Sequence, residues 1–147
     1  MRAAGLVVGR TLQALREAAR PGVTTAELDQ LARERIAEAG AVSSFLGYGA
    51  GFGLPPFPAV TCISVNSEIV HGIPGDRVLA DGDLVSVDFG VSLDSWHGDS
   101  AITFVVGAGS APAETLSEVT RQAMWAGIAA ARVGGRIGDI GHAVEIS

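Results

Sequence analysis

The 147-residue chain reads as an α+β protein, because its apolar residues change period twice. They recur at helical spacing up to residue 40, alternate between 60 and 106, and return to helical spacing after 110. Hydrophobic residues make up 48% of the chain and charged ones 18%, which supplies a core and excludes disorder as the default state. The length suits one domain, and no linker-like stretch divides residues 1–147.

The first helix covers residues 3 to 19, with Leu6, Val8, Leu12, Leu15, Ala18 and Ala19 on its apolar side. Pro21-Gly22 ends it, since proline cannot continue a helix and glycine accepts a positive φ. Thr24-Thr25-Ala26-Glu27 has the spacing of a capping box, so a second helix runs from there to about Ala39 and stops at Gly40. Four glycines and three prolines in residues 46 to 58 predict a shaped loop. Strands follow at 60–65 and 68–70 around a turn at Asn66-Ser67, then at 84–92 and 96–106 after the turn signal Asp81-Gly82-Asp83. Ser110 and Pro112 open a third helix, Gly134-Gly135 interrupts it, and a fourth begins near Ile137. Trp96 and Trp125 are read as packing residues.

The charge balance narrows the function. Ten Lys and Arg against sixteen Asp and Glu give a net charge of -6, and no basic cluster interrupts it. Nucleic acid and anionic membrane surfaces are therefore excluded as partners. A single cysteine forms no internal disulfide and no zinc finger, which fits a reducing compartment. The N-terminal apolar run is broken by Arg10, too early for a signal peptide, and no run approaches the ~18 apolar residues of a membrane span. A cytoplasmic protein is expected.

The segment Leu84 to Phe104 carries the most chemistry. A hairpin with its loop at Ser92 to Ser95 sets Asp88 directly opposite Asp99, with Cβ atoms ~5 Å apart. In that register Gly90 faces His97, Ser86 faces Ala101 and Leu84 faces Thr103. Alternation places Asp88, Asp99, His97 and Ser86 on one face, and Val85, Val87, Phe89, Val91, Ile102 and Phe104 on the core face. Two facing carboxylates repel, so they need a cation, a shared proton or separation by solvent. Geometry alone leaves all three open.

His71, before the turn Gly72-Ile73-Pro74-Gly75, reads either as a proton donor to a developing oxyanion or as a turn histidine bonded to local backbone. Cys62 reads as buried and inert, and His142 as a surface residue.

Taken together these residues resemble type I methionine aminopeptidase, of the pita-bread metallopeptidase superfamily. The resemblance rests on Met1-Arg2-Ala3-Ala4-Gly5, Pro21-Gly22-Val23-Thr24-Thr25-Ala26-Glu27-Leu28-Asp29, Ser43-Ser44-Phe45-Leu46-Gly47-Tyr48, Ser64-Val65-Asn66 and His71-Gly72-Ile73-Pro74-Gly75. Its most specific stretches are Asp81-Gly82-Asp83-Leu84-Val85-Ser86-Val87-Asp88 and Trp96-His97-Gly98-Asp99. It implies a curved antiparallel sheet flanked by two similar αβ halves, of which this chain holds the first and the start of the second.

By the same resemblance two divalent ions (Co, Mn, Fe or Zn) sit in the cleft, with Asp88 a ligand of one and Asp99 bridging both. A metal-bridging hydroxide attacks the carbonyl after an N-terminal methionine of a nascent chain, and His71 stabilises the tetrahedral intermediate. Phe57 and Cys62 line the methionine pocket, His97 stands behind the ligands, and Asn66 adjoins a monovalent-cation site. Association with the ribosome is a further implication, and the complete enzyme is a monomer.

The family's other ligands, a histidine in a Gly-His-Gly-Ile-Gly type motif and two glutamates, have no counterpart in residues 1–147. Gly141-His142-Ala143-Val144-Glu145 precedes that position and is not the motif. Residues 1–147 are thus expected to be a truncated catalytic domain that binds metal weakly, lacks activity alone and self-associates through exposed apolar surface. Two alternatives remain at this stage, an Xaa-Pro-type peptidase of the same superfamily and a non-catalytic peptide- or partner-binding homologue.

Overall fold

A computed structural model describes residues 1–147. It divides into two compact units, Met1–Gly109 and Ser110–Ser147, at the short stretch Gly107-Ala108-Gly109-Ser110-Ala111-Pro112, which the sequence reading did not take as a boundary.

In the first unit α1 (Arg2–Ala18) buries Ala4, Val8, Thr11, Leu12 and Leu15, the stripe its helical spacing dictates. Gly22, at φ 94°, makes the turn after Pro21. Helix α2 (Thr25–Glu38) starts with the expected capping box. The Glu27 amide donates to Thr24 Oγ1 at 3.1 Å, and the Thr24 amide donates to Glu27 Oε2 at 2.7 Å. Glycine at position 40, φ 60°, follows its end.

Four antiparallel strands follow: β1 (Val42–Ser43), β2 (Thr61–Val65), β3 (Leu84–Leu93) and β4 (Trp96–Val105). Strand β3 is central, with β2 and β1 sharing one edge and β4 the other, so β4 pairs with β3 alone. Val85, Val87, Phe89 and Val91 point into a core completed by Leu12 and Leu15 of α1, Leu28 and Ile36 of α2, and Ile63 of β2. Burying such side chains stabilises by ~1.5–3 kcal/mol each before the entropy of ordering is counted. Gly98 lets α1 settle on the hairpin, because a Cβ there would lie 2.8 Å from the Ala4 carbonyl carbon.

Three expectations need correction. The β3–β4 register is shifted by two residues from the one read in the sequence. Asp88 faces Ala101, Gly90 faces Asp99, Ser86 faces Thr103 and Leu84 faces Val105. The cause is a tighter turn: Asp94 (φ 50°) and Ser95 (φ 65°) form a two-residue loop with both residues left-handed, matching the twist of the strands. A shift of two preserves parity, so each side chain keeps its expected face.

Residues 68–70 form no strand. The Glu68 carboxylate turns back to accept the Val65 amide at 2.9 Å, and Ile69 and Val70 stand exposed. Trp96 and Trp125 are not packing residues, since both are more than half exposed. Strand β1, only two residues long, went unread.

The second unit is a helical pair, α3 (Ala111–Ala130) and α4 (Ile137–Glu145). Ser110 caps α3, with Pro112 in its first turn. The helices approach closely at Gly127, where a Cβ would lie 2.8 Å from Val144 Cγ2. His142 is exposed, as read.

Candidate metal centre

The face of the sheet opposite the core carries Asp88 on β3 and Asp99 on β4. The actual register makes them diagonal neighbours in adjacent rows, each set against a small residue on the other strand: Asp88 against Ala101, Asp99 against Gly90. The space is used. A Cβ on Gly90 would lie 2.7 Å from Asp99 Oδ2 and 3.0 Å from Phe45 Cε1, so the Asp99 carboxylate leans over the bare Gly90 backbone toward Asp88.

The pair is electrostatically unsatisfied. Burial, then the Asp99 charge, push the Asp88 carboxyl above its ordinary range, and the charge of His71 partly opposes them. A hard divalent cation is what two converging carboxylates lack, so this donor set fits one in chemistry and in charge. No group of three or more His, Cys, Asp or Glu side chains gathers to hold a metal by itself.

Cys62, on β2, lies directly opposite Asp88 on β3. Burial first, and the charges of Asp88, Asp99 and Asp29 after it, push its thiol up to about 11. The thiol is therefore neutral at neutral pH. His71 adopts φ 65° in the turn after Val70 and is exposed. His97, one row beyond Asp99, places Nδ1 3.0 Å from Ser44 Oγ, tying the loop after β1 to β4.

Phe57 is half-buried in the loop ahead of β2. Its amide donates to the Tyr48 carbonyl and its carbonyl accepts from the Gly47 amide, both at 2.8 Å. Asn66 (φ 58°) stands beyond the other end of β2. It donates through Nδ2 to Asp83 Oδ1 and accepts the Leu84 amide, bonds that lock the start of β3.

The sequence reading had no role for Asp29. It is buried in α2, where Oδ1 accepts the Val60 amide (2.9 Å), the Thr61 amide (2.9 Å) and Thr61 Oγ1 (2.7 Å). Its Oδ2 accepts Arg33 Nε at 2.8 Å, and Arg33 also donates to the Pro58 carbonyl at 3.1 Å. A carboxylate between Leu28 and Ala32 on an apolar helix face was the available signal.

An antiparallel sheet backed by two helices, with two aspartates on its open face, is the architecture expected of half a pita-bread metallopeptidase. Residues 1–146 match the model of metallopeptidase family M24, and the chain belongs to that family.

Among its relatives, methionine aminopeptidase 1 of Mycobacterium tuberculosis is 53% identical over 99% of this chain and 53% of its own length. The crystal structure of methionine aminopeptidase from Rickettsia prowazekii superposes with a TM-score of 0.90 at 36% identity, over 99% of this chain and 56% of that one. An Xaa-Pro dipeptidase from Bacillus anthracis shares the fold with a TM-score of 0.70 at 20% identity, over 85% of this chain and 32% of that one. The chain therefore spans about half the length of the methionine aminopeptidases it matches.

Proposed function

We propose that these residues form the first half of the catalytic cleft of a methionyl aminopeptidase. The convergence of Asp88 and Asp99 on the open face of the sheet, each beside a small cross-strand residue, carries this reading. Similarity at 53% and 36% identity to methionine-specific enzymes, against 20% to an Xaa-Pro dipeptidase, supports the methionine assignment.

Asp88 and Asp99 would hold the divalent ions, Co, Mn, Fe or Zn. Such ions acidify water and polarise a carbonyl when bound. His71 donates a hydrogen bond to the scissile carbonyl oxygen as negative charge develops there. Cys62 and Phe57 wall the slot for the methionine side chain, the neutral thiol presenting a soft apolar surface. His97, bonded to Ser44, steadies the start of β4 behind Asp99. Asn66 is the neighbour of a monovalent cation.

The substrates are N-terminal methionine peptides of nascent chains met in the cytoplasm, near the ribosome. No helix is long and apolar enough to cross a membrane.

Two carboxylates do not enforce a two-metal geometry, so residues 1–147 alone are inactive. The unpaired edge of β4 promotes self-association of the isolated chain. Methionine release from Met-Ala-Ser with Co or Mn, against an EDTA control, tests both statements. The expected result is no release by the 147-residue chain and metal-dependent release by a version extended to the length of the relatives. Release by the short chain at the rate of the long one overturns the inactivity, and release by neither overturns the assignment.

A further inference from the structure

His71 is a non-glycine residue in the left-handed region, at φ 65°. The turn that follows it is fixed at Gly72 and Gly75, each held from outside the loop by a buried hydroxyl. The Gly72 amide donates to Ser64 Oγ at 3.1 Å, while its carbonyl accepts the Ile63 amide at 2.9 Å. A Cβ on Gly72 would overlap the Ile63 carbonyl oxygen, so the turn lies directly on β2.

Thr25 Oγ1 donates to the Gly75 carbonyl at 3.0 Å and accepts the Gly75 amide at 2.9 Å. The Ala26 amide donates to the same carbonyl at 2.9 Å. Thr25 is not the helix cap, a role Thr24 fills, so its hydroxyl is free for a partner fifty residues away. Thr25 is 2% and Ser64 6% exposed, and both sit in elements that the core immobilises.

We infer that Thr25 and Ser64 are positioning residues, two buried hydroxyl clamps that pin Gly72 and Gly75 and so hold His71 in its left-handed conformation. A side chain set on a clamped turn is preorganised, which is what a hydrogen-bond donor to a developing charge requires. The inference rests on the reading of His71 as the group that meets the substrate, and its test separates the two.

The ¹⁵N-labelled chain is compared with T25S, T25V and S64A by amide exchange and by the His71 three-bond HN–Hα coupling. T25V removes the hydroxyl at constant shape, whereas T25S keeps it. In T25V the Gly75 amide exchanges at least tenfold faster and the His71 coupling moves; T25S restores both. S64A does the same at Gly72.

Unchanged His71 coupling and glycine exchange in T25V and S64A overturn the inference, as does a T25S as disruptive as T25V. Should a variant lose its fold, the native chain decides. Clamped, its Gly72 and Gly75 amides exchange at least tenfold more slowly than that of Ile73 between them; at equal rates there is no clamp. Met-Ala-Ser with Zn, a diamagnetic ion, addresses the other reading, compared with Zn alone. If it leaves the His71 signals unmoved in a longer version that turns the peptide over, the catalytic role of His71 falls while the clamp result stands.

Discussion

Replacing Asp29 by alanine should destabilise the first unit by ~3–5 kcal/mol. Asp29 is 5% exposed, and its carboxylate takes four hydrogen bonds, three of them at Oδ1 from Val60 and Thr61. Alanine leaves two buried amides and one buried hydroxyl without an acceptor, each a loss of ~1–3 kcal/mol. The sum is not additive, because the Thr61 hydroxyl can rotate and water can enter the gap, so the total falls to the range of a broken buried pair.

Asparagine keeps an acceptor for the strand amides but turns an NH2 toward Arg33, so D29N costs ~1–2 kcal/mol. Arg33 is 36% exposed, and R33A leaves Asp29 with its three strand donors, so it costs ~1 kcal/mol or less. Urea unfolding at 25 °C and pH 7, followed by far-UV circular dichroism, gives all three values, provided the m-value is unchanged. As β2 loosens, Cys62 in D29A should react faster with a disulfide reagent. A D29A chain within 1 kcal/mol of the native one, or an R33A chain as damaged as D29A, refutes the reasoning.

Other consequences follow from the same structure. Ser95 sits at φ 65° in the β3–β4 turn, so S95G should raise stability by ~0.5 kcal/mol, read from the urea midpoint. Phe89 is fully buried in the central strand, and F89A should cost ~3–5 kcal/mol against ~1 kcal/mol for F89L in the same titration. Burial and the Asp99 charge raise the Asp88 pKa in the fold, so the folded chain keeps this proton to higher pH than the unfolded chain. Its contribution therefore favours folding at low pH and is lost as pH rises through the raised value. D88N in EDTA should gain ~0.5 kcal/mol in thermal melts at pH 7, after allowance for solvent screening, and nothing below about pH 3.5.

What the sequence disclosed follows from which interactions are local. Helices α1 and α2 were legible because their apolar stripes and the Thr24–Glu27 box lie within single turns. The functional face was legible because alternation assigns Asp88 and Asp99 to one side whatever the even shift in register. The register itself was not, since Asp94-Ser95 lacks the Asn-Gly signature of its turn type. Ile69 and Val70 looked like strand residues, yet the turn at Asn66 and the fold-back of Glu68 turn them outward. Thr25, Ser64 and Asp29 escaped notice for another reason. Their hydroxyls and carboxylate act on backbone groups 8 to 50 residues away, and no local pattern encodes those partners.

The central claim is that Asp88 and Asp99 together hold divalent metal. Mn²⁺ titrated into the native chain and into D88N/D99N, with free ion read by electron paramagnetic resonance, tests it directly. Saturable binding with a Kd on the order of 10⁻⁴–10⁻³ M is expected in the native chain and is abolished in the double variant. Equal binding by both chains contradicts it.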